Sequence, residues 1–193
     1  MNEKEIKDLF DRLGRLVNAT AQRNGDTFAW QYNFKNGETH QYIVRGLKSP
    51  KEIEDSVCNL LIWIWSARDY LKHRAVSVGK NPQHVEDILR KNEYLCVCAD
   101  LANTLKHGIR EKSNLSNLQP RLGEGRFEIP QSALKSLVFR ASEVEIQVAE
   151  PNLAEFSQPV LDHRDKPIGD VSDYIKNGIA TLEKIRNEIE FTE

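Results

Sequence analysis

The chain has 193 residues, which suits one domain of ordinary size and is long enough to bury a substantial core. Its 27 Lys and Arg and 29 Asp and Glu leave a net charge of -2, so nucleic-acid binding would require a local basic patch. Three cysteines do not make a disulfide framework and Met1–Glu5 lacks the apolar core of a signal peptide, so we expect a cytoplasmic protein. The apolar run Leu60–Trp65 is far shorter than the roughly 20 residues of a membrane span, so no membrane contact is expected.

A β-hairpin is predicted after an amphipathic first helix. Large aromatic residues alternate with polar ones before the dipeptide Asn36-Gly37, and a second alternating run follows it. Asn-Gly between two such runs indicates a two-residue turn, which would set Lys35 opposite Glu38 and Trp30 opposite Ile43. The aromatic side chains either stack on nucleic-acid bases, if they are exposed, or pack on the helices. These side chains are Phe28, Trp30, Tyr32 and Phe34.

Two long antiparallel helices are predicted at the centre of the chain. Ser49-Pro50-Lys51-Glu52 is a capping box with proline at its preferred first helical position, so the first of these helices begins there. The second is predicted from Asn81-Pro82 to Gly108. A short turn between helices of equal rise per residue also predicts which residues are neighbours. The predicted neighbours are Arg68 with Asp87 and Asp100 with Asp55.

The remaining chain predicts one more helix and further strands. Alternating residues indicate strands at 126–130, 136–149 and 159–168 after a polar loop at 111–125, and a regular apolar stripe then indicates the last helix. We therefore predict an α+β fold: an up-down bundle of about four helices, with a β-hairpin before the central helix pair and a small antiparallel sheet after it. The expected parts of this single domain, 1–193, are a helical core at 1–24, 49–110 and 170–191, a hairpin at 27–45 and a β insertion at 125–168.

The main candidate for chemistry is the segment from Arg68 to His73 near the end of the first central helix. Arginine offers a rigid fork of donors for phosphate, and histidine can act as a general acid or base near neutral pH. Asp69 lies four residues before His73, so its carboxylate can reach and orient the imidazole. Nearby cations at the start of the next helix favour an anion site. The predicted catalytic residues are Arg68, Asp69 and His73, and the predicted phosphate- or RNA-binding residues are Lys72, Arg74, Lys80 and His84.

This segment resembles the motif of the HEPN family of helical-bundle domains, many of which are metal-independent RNases of toxin and antiviral systems. The motif is an arginine, usually a polar residue, three to five further positions and a histidine, and Arg68, Asp69 and His73 match it in order. The resemblance implies that His73 assists proton transfer for the RNA 2′-hydroxyl and that Arg68 holds the scissile phosphate. It also implies a homodimer. It covers only the helical part of the chain.

A structural role for the same side chains is also open. Lys72, His73 and Arg74 are the cations expected at a helix C-terminus, where each contributes about 0.3–1 kcal/mol against the helix dipole. Arg68 can pair with Asp87 across the two helices. On this interpretation the cations stabilise the helices and bind no substrate.

A second set of polar residues, Asp100, Asn103 and His107, shares one face of the second central helix through spacings of three and four. A buried polar network that sets the helix register is one interpretation. The other is a second functional or metal site. The segment from Ala99 to Gly108 also resembles one that recurs in uncharacterised bacterial proteins, which implies no particular role.

Two functions from different classes follow. The first is a metal-independent endoribonuclease, or an RNA-binding component, of a bacterial defence or toxin–antitoxin system, with RNA and an antitoxin-like protein as partners. The second is a non-catalytic homodimeric interaction protein. No cofactor or metal is predicted, because Cys58, Cys96 and Cys98 do not form a zinc pattern and the Gly123-Glu124-Gly125 segment precedes a strand instead of a helix.

Overall fold

The computed structural model describes residues 1–107 and 115–191. These residues form an α+β fold, as predicted. The helices are α1 (Glu3–Ala21), α2 (Pro50–Ser77), α3 (Pro82–Lys91), α4 (Glu93–His107) and α5 (Val171–Phe191). The strands are β1 (Thr27–Asn33), β2 (Thr39–Arg45), β3 (Arg121–Leu122), β4 (Arg126–Glu128), β5 (Leu134–Arg140), β6 (Glu143–Val148), β7 (Glu155–Ser157), β8 (Pro159–Leu161) and β9 (Pro167–Asp170). No described helix has the length and apolar character needed to cross a membrane.

The chain divides into two compact units. Unit 1 comprises Met1–Asn18, Ser56–Glu124 and Gln158–Glu193. Unit 2 comprises Ala19–Asp55 and Gly125–Ser157. The expectation that residues 1–193 form a single domain stays a prediction.

The core of unit 1 contains side chains from α2, α4 and α5. Leu60 and Ile64 of α2 are almost completely buried. α5 approaches α4 closely at Gly178, where a Cβ atom would lie 3.4 Å from Leu95 Cδ2 and 3.5 Å from Cys98 Sγ. These are ordinary contact distances, so alanine would fit at this position and only a longer side chain would press on its neighbours.

The second long helix of the predicted pair is two helices. Asn92 has extended backbone angles (φ -97°, ψ 113°) and separates α3 from α4. Its N–H donates to Leu89 C=O at 3.2 Å, and its Oδ1 accepts the N–H of Leu95 at 2.9 Å. Asparagine thus caps the end of one helix and the start of the next, which replaces the hydrogen bonds of a continuous helix. The predicted end at Gly108 lies outside the described residues.

The register predicted for the central helices is also not observed between α2 and α3. Arg68 binds its neighbour Asp69 (Nε to Oδ1, 3.1 Å), and Asp87 accepts from Gln83 at 2.9 Å. The predicted Arg68–Asp87 pair is therefore wrong. Across the turn, Lys72 of α2 instead lies 3.5 Å from a carboxylate oxygen of Glu86 of α3, so the two helices meet in another register.

The capping box at the start of α2 is confirmed. Ser49 N–H donates to Glu52 Oε2 at 2.7 Å, and Glu52 N–H donates to Ser49 Oγ at 3.2 Å. The backbone hydrogen bond from Ser49, followed by that from its hydroxyl, lowers the pKa of Glu52. One turn later Asp55, which was expected beside Asp100, pairs with Lys51 at 3.9 Å.

The predicted hairpin of unit 2 is confirmed, but its register differs by one residue. Trp30 pairs with Tyr42 instead of Ile43. Phe34 N–H donates to Glu38 C=O at 2.8 Å, and Gly37 has φ +86°. Asn36-Gly37 therefore belongs to a longer turn that ends in a left-handed glycine, a common alternative to the two-residue turn. The opposition of Lys35 and Glu38 does not occur, because Glu38 pairs with Phe34.

The later strands form two small antiparallel sheets, β3-β8-β9 and β4-β7, but β5 and β6 join the hairpin instead. β6 pairs in parallel with β2, so that β1, β2, β6 and β5 form one four-stranded sheet in that order. The chain between β2 and β6 supplies the long connection that a parallel pair requires. The predicted strands 136–149 and 159–168 are each two antiparallel strands, β5 with β6 and β8 with β9. β3 joins β8, and β4 pairs with β7.

Candidate functional site

The predicted catalytic arginine is bound by residues beside it on α2. Arg68 donates from Nε to Asp69 Oδ1 at 3.1 Å, and its guanidinium carbon lies 4.1 Å from the centre of the Trp65 ring. The cation is thus paired with a carboxylate and stacked on an aromatic face at the same time. A substrate phosphate would have to displace Asp69 to use the same donors.

The predicted general acid or base, His73, lies on a different side of α2. Five residues separate it from Arg68, which corresponds to about 140° around the helix axis. His73 is exposed and forms no hydrogen bond or ion pair with any residue that the structure describes. Asp69, which was expected to orient His73, binds Arg68 instead. The structure therefore brings Arg68 and Asp69 together and leaves His73 apart from them.

Arg74 is part of an ion pair between α2 and α5. Its Nε and one terminal nitrogen each donate to a carboxylate oxygen of Glu190 at 2.8 Å, and a third contact reaches Met1 C=O at 3.3 Å. The hydrogen bond from Arg74 lowers the pKa of Glu190, and the same bond raises the pKa of Arg74. Arg74 could bind phosphate, as predicted, only if this bidentate ion pair broke.

The other predicted phosphate-binding residues also have partners. Lys72 lies 3.5 Å from a carboxylate oxygen of Glu86. Lys80 donates to Glu188 C=O at 2.8 Å, and His84 Nε2 lies 3.4 Å from Glu188 Oε2. The carboxylates of Glu86 and Glu188 offset part of the positive charge at the junction of α2 and α3, so the predicted basic patch is partly neutralised.

Asp100, the first of the predicted polar residues on α4, accepts hydrogen bonds from residues outside the helix. The buried carboxylate of Asp100 accepts the N–H of Leu115 at 2.9 Å, the N–H of Ser116 at 2.8 Å and the hydroxyl of Ser116 at 2.6 Å. Its bonds therefore hold Leu115 and Ser116 against α4. Asn103 is half-buried and His107 is exposed, and neither bonds to Asp100. Asp100 is therefore buried and hydrogen-bonded, but the three predicted residues form neither a shared polar network nor a carboxylate–imidazole pair.

Burial raises the pKa values of several other groups that could act as nucleophiles or bases, which keeps them in their neutral form. It raises the pKa of Cys98 to about 12 and also raises the pKa of Cys96. Burial likewise raises the pKa of Tyr174, whose hydroxyl donates to Ile168 C=O at 3.0 Å. Tyr174 lines a cavity of about 520 Å³ in unit 1 together with Tyr94. Among the described residues, no group of three or more His, Cys, Asp and Glu could hold a metal ion.

An open aromatic surface lies on one face of the four-stranded sheet of unit 2. Tyr32 is 55% exposed, Trp30 44% and Phe139 71%. The strand pairing places them on one face, because Trp30 pairs with Tyr42, Tyr42 with Val144 and Val144 with Phe139. We call this surface the aromatic face. Its members are Phe28, Trp30, Tyr32, Phe34, His40, Tyr42, Val44, Leu137, Phe139, Val144, Ile146 and Val148.

The aromatic face is covered at one end and open at the other. Val44 and Val148 belong to a buried cluster with Leu47, Ala133 and Ala154. Towards the hairpin turn the rings contact mainly each other, with 5.0 Å between the centres of Trp30 and Tyr42. Uncovered aromatic side chains on a sheet are available to a partner.

The two faces of this sheet differ in charge. None of the strand residues on the aromatic face is Lys, Arg, Asp or Glu. The opposite face carries ion pairs, including Arg45 with Glu145 at 2.7 Å and Arg140 with Glu143. The aromatic face therefore suits an apolar partner better than a phosphate backbone, which requires cations.

The sequence analysis identified the aromatic residues of the hairpin but not their exposure. Alternation predicted a strand with two different faces, and both packing and base stacking were compatible with it. Phe139 was not singled out, although it follows Leu137 at the same alternate spacing. The pairing of β6 with β2 brings these residues onto the aromatic face.

We compared the chain with protein-family models, with curated proteins and with solved structures, and none of them matched it. The HEPN resemblance of the Arg68–His73 segment therefore stays a prediction.

Proposed function

We propose that this chain is a non-catalytic interaction protein that forms a homodimer. The observation that supports the proposal is the open half of the aromatic face. The contacts of Arg68, Arg74 and Lys72 with carboxylates support it further, because they leave the predicted anion site partly neutralised. The role of the basic helix junction is then to hold α2, α3 and α5 together.

The size of the open surface fits a protein interface. With about 200 Å² per aromatic side chain, the exposed parts of Trp30, Tyr32 and Phe34 amount to roughly 270 Å². A stable interface buries about 800 Å² on each partner. The rings would supply about a third of this area, and the strand backbone and neighbouring side chains would add to it. Aromatic residues are also the side chains most enriched in the centres of interfaces.

Replacing Tyr32 with threonine is expected to weaken self-association at least about tenfold. Threonine keeps the β-branched character of a strand residue but removes the ring. Val138→Thr is the matched control, because Val138 is exposed on the opposite face of the same sheet. Sedimentation equilibrium over a range of protein concentrations measures the dissociation constants. A wild-type chain that stays monomeric at all concentrations, or equal effects of the two substitutions, would contradict the proposal.

A second candidate function is metal-independent RNA cleavage by the predicted catalytic residues Arg68, Asp69 and His73, with an antitoxin-like protein as partner. One observation favours it: the imidazole of His73 is exposed and bonds to no described residue, as a proton-transfer group at an open site requires. This candidate needs Arg68 to leave Asp69 when RNA binds.

We expect no RNA cleavage by the wild-type chain in the presence of a chelator. The measurement is degradation of a labelled single-stranded RNA by wild type, His73→Ala and His163→Ala, with His163 as the control because it is an exposed histidine outside the predicted site. Cleavage that is lost in His73→Ala and retained in His163→Ala would support the second candidate and refute the non-catalytic proposal.

A further inference from the structure

The two edges of the four-stranded sheet are not equivalent. β5 forms one edge and carries Lys135 and Arg140, with a register irregularity between Leu134 and Ser136. Charges and bulges are common devices that prevent an edge strand from pairing with another chain. β1 forms the other edge, and its seven residues contain no charge and no proline. β1 also pairs with β2 in an uninterrupted register.

The outer edge of β1 offers a regular row of backbone groups. Phe34 N–H donates to Glu38 C=O across the hairpin at 2.8 Å, and Gln41 N–H donates to Ser142 C=O on the other side of β2 at 2.8 Å. Along an antiparallel pair, the backbone N–H and C=O groups of successive residues point alternately toward the partner strand and away from it. The even-numbered residues of β1 therefore bond to β2, and the backbone groups of the odd-numbered residues point outward. No other described strand pairs with this edge. The outward residues are Thr27, Ala29, Gln31 and Asn33, all exposed.

We infer that a second copy of this chain adds its own β1 to this edge, antiparallel and related by a two-fold axis. The inference rests on the proposed homodimer and names the surface that forms it. The two sheets then become one continuous sheet. A register that uses all outward groups pairs Thr27 with Asn33 of the second copy and Ala29 with Gln31, which gives about eight hydrogen bonds. Trp30 then faces its own counterpart.

Self-pairing suits this strand for two reasons. The strand is uncharged, so two copies meet without the repulsion that like charges opposite each other would cause. The register also places Phe28, Trp30 and Tyr32 of both copies on the same face, which extends the aromatic face across the axis. Trp30 would stand between Tyr42 and the second Trp30, so its exposed part would be buried. A two-fold interface of this kind satisfies both strands at once and closes without further growth at this edge.

Replacing Gln31 with proline is expected to weaken dimerisation at least about tenfold, because it removes an outward N–H while the bonds between β1 and β2 are kept. Gln31→Thr is the control, since it keeps the N–H and should dimerise like wild type. Circular dichroism and thermal unfolding check the fold. If the proline variant does not fold, the double variant Ala29→Lys with Gln31→Lys replaces it, because it sets lysines opposite each other and should also dissociate the dimer.

A cysteine cross-link tests the register. Trp30→Cys is expected to form an intermolecular disulfide readily, because directly opposed residues of this type have Cα atoms about 4.5 Å apart. Phe139→Cys, on the same face but at the protected edge, is the control and should not cross-link. Two results would overturn the edge pairing while leaving the homodimer intact. One is a dimer that cross-links through Phe139→Cys, and the other is a dimer whose dissociation constant is unchanged by the Gln31 and Ala29 substitutions. A monomeric wild-type chain would overturn both.

Discussion

Replacing Asp100 with alanine is expected to lower the free energy of unfolding by about 3 kcal/mol. Its carboxylate accepts three hydrogen bonds from Leu115 and Ser116, two of them from backbone N–H groups. Hydrogen bonds to a charged group contribute about 1.5–3 kcal/mol each, and donors left buried without a partner add a further cost. The measurement is urea unfolding of wild type and variant, with the change read from the midpoint at constant slope.

Asn103→Ala is the matched control for this experiment. Asn103 is on the same helix, one turn from Asp100, and is half-buried. Since it shares none of the Asp100 bonds, its replacement should cost less than about 1 kcal/mol. Equal effects of the two substitutions would show that the bonds to the loop contribute little and that Asp100 needs another explanation.

Replacing Arg74 with alanine is expected to cost about 2–3 kcal/mol of stability. Arg74 and Glu190 are each only 15% exposed and join α2 to α5 through two parallel bonds of 2.8 Å. Removing one partner leaves the other charge partly buried and unpaired, which costs more than the loss of an exposed pair. Lys7→Ala is the control, because the Lys7–Asp11 pair is exposed and should contribute less than about 1 kcal/mol. Similar losses in both variants would contradict the expectation.

The pair between Arg74 and Glu190 should also make stability depend on pH. The hydrogen bond from Arg74 lowers the pKa of Glu190 in the folded state. A carboxyl group with a lowered folded pKa contributes stability above its unfolded pKa, near 4.3, and loses it as the pH falls through the folded value. The difference in unfolding free energy between wild type and Glu190→Gln should therefore be constant near neutral pH and shrink below about pH 4. A difference that is independent of pH would contradict this.

Features that depend on a few neighbouring residues could be predicted from the sequence. The capping box at Ser49 and the hairpin at Asn36-Gly37 are local signals, and the structure contains both. The hairpin register was missed because the same dipeptide fits two turn types, which differ by one residue. Asn92 ends α3 and caps α4, but an asparagine within an apolar stripe is an ambiguous signal for a break.

The candidate site depended on contacts between distant residues, and these could not be predicted. Arg74 and Glu190 are 116 positions apart, and nothing in their local sequences indicates that they pair. The same holds for Asp100, whose partners follow 15 and 16 positions later. Charge spacing on one helix suggested a catalytic group. Arg68 pairs with Asp69 on the same helix, but the partners of Lys72 and Arg74 come from α3 and α5.

The sequence by itself determined the α+β class, the positions of most helices and the alternation that separates the aromatic face from the charged face. These features follow from residue periodicity and from capping, which act over a few positions. The tertiary structure alone decided that β6 joins β2, that the basic junction is partly neutralised and that Trp30 and Phe139 remain uncovered on one face. Burial depends on which distant surfaces meet, and periodicity cannot specify whether a surface is covered.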